Sequence, residues 1–402
     1  MGRKPKIKGN NLQILNFAKD IANAPVTKLD TAYNYIKWGA RNTYPNILLD
    51  LYNSSTTHRA AINFEVQATI GGGIDFDAMQ IDGSQVFPNY SESWMSLLRS
   101  ITLDYFIFGQ FAVEIIKNKD DKTFSFYHVP MDKVRAGEMD EDGVITKYAI
   151  CSDWARISQN PPIWLDAIDM RDSDAIERGK PYIYVLHNYT PTQEYYASPL
   201  YQAGIKAIQT ECEHTNYDLR TTVNNFTASG ILTLPQVETD EQRRELINNV
   251  QNLFTSSEQA CSVMIAFKNN VDDVRPEYTP IAANIGNVNL YDSANARTIN
   301  RILSAHQIQN AALIGLPDIN GSGFASEADK LEVSFNLWNL LSGNYHRSCI
   351  VGSINSMFKL NNIGVELILK PLRFTADTES NNGTAPEKNQ DVSTDNIEEK
   401  VV

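Results

Sequence analysis

The chain has 402 residues, 42% of them hydrophobic, and a formal net charge of −13. That is apolar material for a sizeable core and length for two or three structural subregions, which excludes a disordered chain. The acidic balance excludes a protein that grips DNA by static phosphate contacts, since such proteins exchange counterions for Lys and Arg, but not one that lets DNA pass.

The four cysteines, Cys151, Cys212, Cys261 and Cys349, are far apart and show no CxxC spacing. They fit buried thiols of a reducing compartment, neither a disulfide frame nor a zinc site. With no apolar run of about 18 residues and no signal peptide, no membrane partner is expected, and synthesis in the cytoplasm is.

Both ends read as tails. Arg3, Lys4, Lys6 and Lys8 make a basic arm, and the segment 376–402 is polar and acidic, a solvated tail by composition. Residues 44–73 predict two helical pieces joined at 53–57 and closing on Gly71, Gly72 and Gly73. That triple glycine has no Lys-Ser/Thr pair behind it, so it is a turn after a helix and not a phosphate loop. Trp94, Leu97, Leu98, Ile101 and Tyr105 recur at helical spacing up to Gly109; FAVEIIKN, TFSFYHV, VITKYAI and PYIYVLHNY then read as strands. A helix followed by several strands, without βαβ repetition, is an α+β pattern.

From Ser198 the texture changes to long helices. Ser198 as N-cap and Pro199 as first helical residue predict a helix over 198–227, with Leu200, Ile208, Cys212, Leu219, Val223 and Phe226 as its apolar stripe. ILTLP, a helix opened by the Thr239/Gln242 capping box, and CSVMIAF then form a small β-α-β insert. Further helices are expected over 293–314 and from 326 to about 360, with Gly343 and Gly352 as places to bend.

Between the last two helices lies DINGSGFASEAD, 318–329, with oxygen-bearing side chains at positions 1, 3, 5, 9 and 12 and Gly323 at position 6 of an EF-hand template. Against calcium stand Gly315 and Pro317, which break the incoming helix, Ser322 at position 5, and Asp329 at position 12, one methylene shorter than the usual Glu. A flexible polar link with Ser326 capping the next helix accounts for every residue. The histidines, His58, His128, His187, His214, His306 and His346, are scattered outside any HExxH or nucleophile-elbow context, so no catalytic residue, metal or cofactor is expected; His306 and His346 fit packed, hydrogen-bonded core roles.

In this order, YPNILLDLYNSSTTHRAAINFEVQATIGGG, LLRSITLDYFIFGQFAVEIIKN, the strand pair around DEDGVITKY, YASPLYQAGIKAI, NNFTASGILTL, ILSAHQIQNAALIGLP and the long helix after FASEADK resemble a tailed-bacteriophage portal protein over roughly residues 44–374. The resemblance implies a portal-like α+β fold and a non-enzymatic ring, typically of twelve subunits, at one capsid vertex. Double-stranded DNA would pass through it during packaging and ejection, and it would dock the terminase large subunit, the major capsid protein and a head-tail adaptor. ATP hydrolysis would belong to the terminase, since no GxxxxGK[ST] motif is present here.

The implied parts are an arm and wing over 1–197, a first stem helix 198–227, a clip 228–289, a second stem segment 290–314, a tunnel loop 315–325, a kinked helix with a returning strand over 326–375, and the acidic tail 376–402. Asp318, Asn320, Gly321, Ser322 and Gly323 would meet the DNA channel; Arg297 and Arg301 would pair with a neighbouring subunit, or face DNA. Twelve helices about 10 Å apart leave a lumen of roughly 28 Å. A duplex of roughly 20 Å passes it with slack. The alternatives are a divalent-metal-dependent enzyme using Asp318 and its neighbours, or a helical adaptor that forms no ring.

Overall fold

The computed structural model describes residues 27–372, apart from 82–86, 121, 171–175, 224–229, 235–240, 243, 246–262, 268–276, 281–287 and 317–327. A hairpin of β1 (Thr27–Asp30) and β2 (Tyr35–Trp38) precedes two helices, α1 (Tyr44–Ser54) and α2 (Thr56–Ile70). The joint expected over 53–57 is a single extended residue, Ser55, which ends α1 and caps α2 by accepting from the His58 amide at 3.1 Å.

The triple glycine closes α2 for a steric reason. Gly71 has φ of +60°, and a Cβ there would lie 2.2 Å from the Lys370 carbonyl oxygen. The carboxyl-terminal segment is thereby tied on: Gly72 donates to Lys370, Lys370 to Gly73 and Asp75 to Ile368. The strand expected in VELILKPLRF reduces to one bridge, Ile74 to Leu369, because the segment pairs with the turn after α2 and with no sheet edge.

After the single turn α3 (Phe76–Met79), α4 (Trp94–Phe108) runs as expected, capped by Ser93 and ended by left-handed Gly109. It covers a six-stranded mixed sheet of order β4-β3-β8-β7-β6-β5. The strands are β3 (Gln110–Lys117), β4 (Phe124–Val129), β5 (Val134–Ala136), β6 (Lys147–Ile150), β7 (Ile163–Ala167) and β8 (Pro181–His187). Only the β7–β8 pair is parallel. Trp94, Leu97, Ile101 and Tyr105 of α4 are buried with Phe111, Val113, Phe126 and Ile183 of the sheet, forming the main core. Tyr196 lies inside it, stacked on Trp38 with ring centroids 4.5 Å apart.

The helix expected to start at Ser198 starts at Ile205 instead (α5, Ile205–Val223). Residues 198–204 are held against the end of α4: Tyr201 is buried and its hydroxyl donates to the Ile107 carbonyl at 2.8 Å. Tertiary packing here overrides the Ser-Pro start signal. In the insert, β9 (Gly230–Leu234) and β10 (Val263–Phe267) pair in parallel, and β11 (Glu277–Pro280), not foreseen, adds antiparallel to β9.

The helix α6 (Val288–Ala305) stops nine residues before the expected end, at a turn with Gln307 at φ 56°, and a short 3-10 turn, Ala311–Ile314, follows. The last long helix is broken into α7 (Ala328–Trp338), a π-helical turn Asn339–Gly343 and α8 (Asn344–Leu360). The expected bend at Gly343 therefore appears as a π turn, whereas α8 runs through Gly352 without interruption. A second core of Ala61, Ala68, Leu303, Ile308, Phe335 and Trp338 joins α2, α6 and α7, so α2 is apolar on two faces and serves both cores. Among the described residues no helix is long and apolar enough to cross a membrane.

Candidate functional site at the junction of the long helices

A cluster of buried polar groups lies where α2, α5 and α6 meet. Glu211, on α5 and 7% exposed, reaches the first turn of α2. Its carboxylate accepts from the hydroxyls of Ser55, Thr56 (3.1 Å) and Thr57 (2.7 Å) and from the Thr57 amide (3.2 Å). A carboxylate at a helix N-terminus meets both the unpaired amides and the positive end of the dipole.

In the same first turn of α2, His58 Nδ1 lies 2.9 Å from His306 Nε2, and His306 Nδ1 donates to Glu65 Oε2, two turns further along, at 3.0 Å. The Tyr201 ring packs on both imidazoles, at 4.3 and 5.2 Å between centroids. Burial, and then the neighbouring His306, hold the His58 ring well below the usual imidazole range, so it is neutral. His58, His306 and Glu65 are all buried. The chemistry of this array is positional: it fixes the end of α6 and the start of α5 to α2.

A similar buried histidine sits at the π turn. His346 contacts the Tyr105 hydroxyl at 2.9 Å and Ser342 Oγ at 3.0 Å, and burial pushes its ring down to about 4. Beside it Arg347 donates to the carbonyls of Ala68 and Thr69 at the end of α2 and to Asn339 Oδ1. Both His58 and His346 bind a proton less readily folded than unfolded. Their stabilisation is complete above about pH 6.5 and is lost as the pH falls, for His346 over the interval down to about 4. Thermal midpoints measured between pH 7.5 and 4.5 should therefore drop, and His346→Gln should flatten the profile by about 3 kcal/mol at the acid end.

Of the site residues expected from the sequence, Arg297 and Arg301 are exposed on α6, and among the described residues neither forms an ion pair. Arg301 lines a groove of about 490 Å³ between α5 and α6 with Lys206, Ala203, Thr210, Thr298 and Ser304. At this groove Gly204 meets Ala305, where any Cβ would be 2.4 Å from the alanine's. Asp318, Asn320, Gly321, Ser322 and Gly323 lie outside the described residues, so the loop and its calcium alternative have no structural account. Among the described residues no three His, Cys, Asp or Glu side chains gather as a metal cage.

The polar junction itself was missed. Scattered as the histidines are in sequence, the fold brings His58 and His306 together. The legible part was His58 and Glu65, seven residues apart and so on one face of α2; nothing in the pattern marks Glu211 as their neighbour.

No protein-family model matches the chain, and no curated protein does. Among solved structures it is similar to a chain of the neck of a native gene transfer agent particle computed with C12 symmetry, with a TM-score of 0.51 and 13% identity over 83% of this chain and 85% of that one. A chain from the neck of an empty particle of the same kind, computed with C6 symmetry, gives 0.52 and 15% over 83% and 85%. An HK97-family phage portal protein from Corynebacterium diphtheriae gives 0.39 and 10% over 71% and 84%. At this identity the likeness is one of fold: the chain has the fold of a chain in the neck of gene transfer agent particles, and its class is the α+β one expected from the sequence.

Proposed function

We propose that this protein is a portal: a ring-forming, non-enzymatic conduit for double-stranded DNA at one vertex of a virus-like head. The observation that carries the reading is the fold match over 83% of the chain to a particle-neck chain solved with twelvefold symmetry. It is supported by two adjacent long helices, α5 and α6, whose outer residues, among them Glu213, Asp218, Leu219, Arg297 and Arg301, are exposed in the single chain and so free to meet neighbours.

In the ring, α5 and α6 form the stem, β9 to β11 the clip and terminase dock, and 315–325 the tunnel loop, with Asp318, Asn320, Gly321, Ser322 and Gly323 towards DNA. The sheet and α4 belong to the wing, which meets the major capsid protein, while a head-tail adaptor attaches below. Arg301, with Lys206 in the α5–α6 groove, attracts an acidic side chain of the adjacent copy. The net charge of −13 keeps the wall from holding phosphates, so the duplex slides. The protein thus resides in the virion after assembly in the host cytoplasm.

Negative-stain images of the purified protein should show rings with a central hole wide enough for a duplex; a solid or monomeric particle overturns the reading. In infected cells, deletion of residues 320–323 should leave rings intact and cut the yield of DNA-filled heads at least tenfold. Normal filled heads from that deletion remove the tunnel-loop role while leaving the ring.

A further inference from the structure

The helix interrupted at Asn339–Gly343 is apolar on two opposite sides. One side is accounted for: Phe335 and Trp338 pack against Phe64 of α2, with ring centroids 6.4 and 5.3 Å away, and Ile350, Ile354 and Met357 continue into the main core. The other side is bare. Val333 is 66% exposed, Leu337 40%, Leu340 75%, Leu341 60% and Tyr345 56%.

The spacing of these residues and the π turn explain one another. Val333, Leu337, Leu341 and Tyr345 are four apart, and at about 100° per residue a regular α-helix drifts about 40° at each such step, putting Tyr345 about 120° away from Val333. A π turn takes in one additional residue and so rotates the later part back by roughly a residue's worth. The interruption thereby keeps the four side chains close to one line along the rod. Two contacts hold it there: Arg347 bridges Asn339 to the end of α2, and Gly343 leaves room for the Trp338 ring, which a Cβ would approach to 2.4 Å. The line continues onto the sheet, since the Tyr345 hydroxyl donates to Asn188 Oδ1 at 3.0 Å, next to Tyr189, which is 80% exposed.

From this we infer that the stripe Val333–Leu337–Leu340–Leu341–Tyr345 is the face on which the adjacent copy of this chain seats in the ring. The inference rests on the portal reading and names a surface for it. A helix apolar on both sides is one buried between two layers, and the described chain supplies one layer only. A stable interface takes about 800 Å² from each partner around an apolar centre, and five large side chains in line with Tyr189 furnish that centre. The carboxyl-terminal segment 376–402 is a poor cover, having seven acids and few apolar residues. A ring contact is heterologous, so the stripe meets a different surface of its neighbour and closure repeats it once per subunit.

The test uses the full chain carrying Leu337→Glu and Leu341→Glu, compared with wild type by sedimentation velocity and electron microscopy. Both side chains are exposed, so the circular dichroism spectrum and the melting onset of the subunit should be unchanged, while the protein concentration needed for half-assembly rises at least 100-fold. Val333→Glu alone, a full turn before the π segment, should act in the same direction and decides the matter if the double variant misfolds. Rings at the wild-type concentration from a folded variant overturn the proposal and leave the ring itself standing; the amino-terminal segment with Leu12, Ile14, Leu15 and Phe17 then becomes the cover to consider. Wild-type protein that forms no ring at any concentration overturns both.

Discussion

Replacing His306 by leucine should lower the thermal midpoint of the protein by roughly 6–20 °C. Glu65 is 4% exposed and His306 Nδ1 is its donor, so the leucine strands a carboxylate in the interior. Removing one partner of a buried, hydrogen-bonded ionisable pair costs about 3–5 kcal/mol, and each kcal/mol is worth about 2–4 °C in a domain of some 200 residues. The same change removes the partner of His58 Nδ1. Calorimetry of His306→Leu beside a Glu65→Leu/His306→Leu double variant separates the causes. With both partners apolar no buried charge remains, so the double variant should recover part of the loss. A double variant as unstable as the single one would show that the stranded carboxylate is not the source.

The second large effect is expected at the π turn. In Gly343→Val the new side chain begins 2.4 Å from Trp338 Cζ3 and 2.9 Å from Asn339 Oδ1, while the indole is fully buried. Either the ring leaves the second core or the turn changes register, and overpacking of this kind costs about 1–3 kcal/mol. The tryptophan emission should shift to the red as Trp338 meets water, together with a lower melting point; Gly343→Ala should show the same changes at smaller size. Gly352→Ala is the contrast, since nothing lies within 4 Å of that position; it should be neutral or stabilise by up to about 1 kcal/mol. A Gly343→Val protein with unaltered emission and stability would remove the tight Trp338–Gly343 contact from the description of this helix.

Much of the sheet-bearing half was legible because its elements announce themselves locally. The α4 stripe ends on Gly109 as the spacing requires, and β3, β4, β6 and β8 are rich enough in β-branched, aromatic and other apolar residues to stand out from the sequence. The strands β5 and β7 do not stand out: β5 is three residues long, and β7 exposes Ile163 and Trp164, which point to opposite faces, so neither gives a clean strand pattern. Helix starts proved less readable than helix bodies. Ser198 and Pro199 make a sound start signal, yet Tyr201 is drawn onto the Ile107 carbonyl and the helix waits until Ile205.

Local order and periodicity by themselves determined the α+β class, the switch from strands to long helices after residue 197, and the bend near Gly343, because each depends on side-chain spacing within a few turns. Only the tertiary structure decided that Glu211 closes the start of α2, that His58, His306 and Glu65 form one array, and that Gly71 is demanded by the Lys370 backbone. Those partners lie from 154 to 299 residues apart, or meet across a helix pair, and no periodic pattern encodes which distant carboxylate or carbonyl will arrive. Long-range pairing of buried polar groups is set by how the packed layers come together.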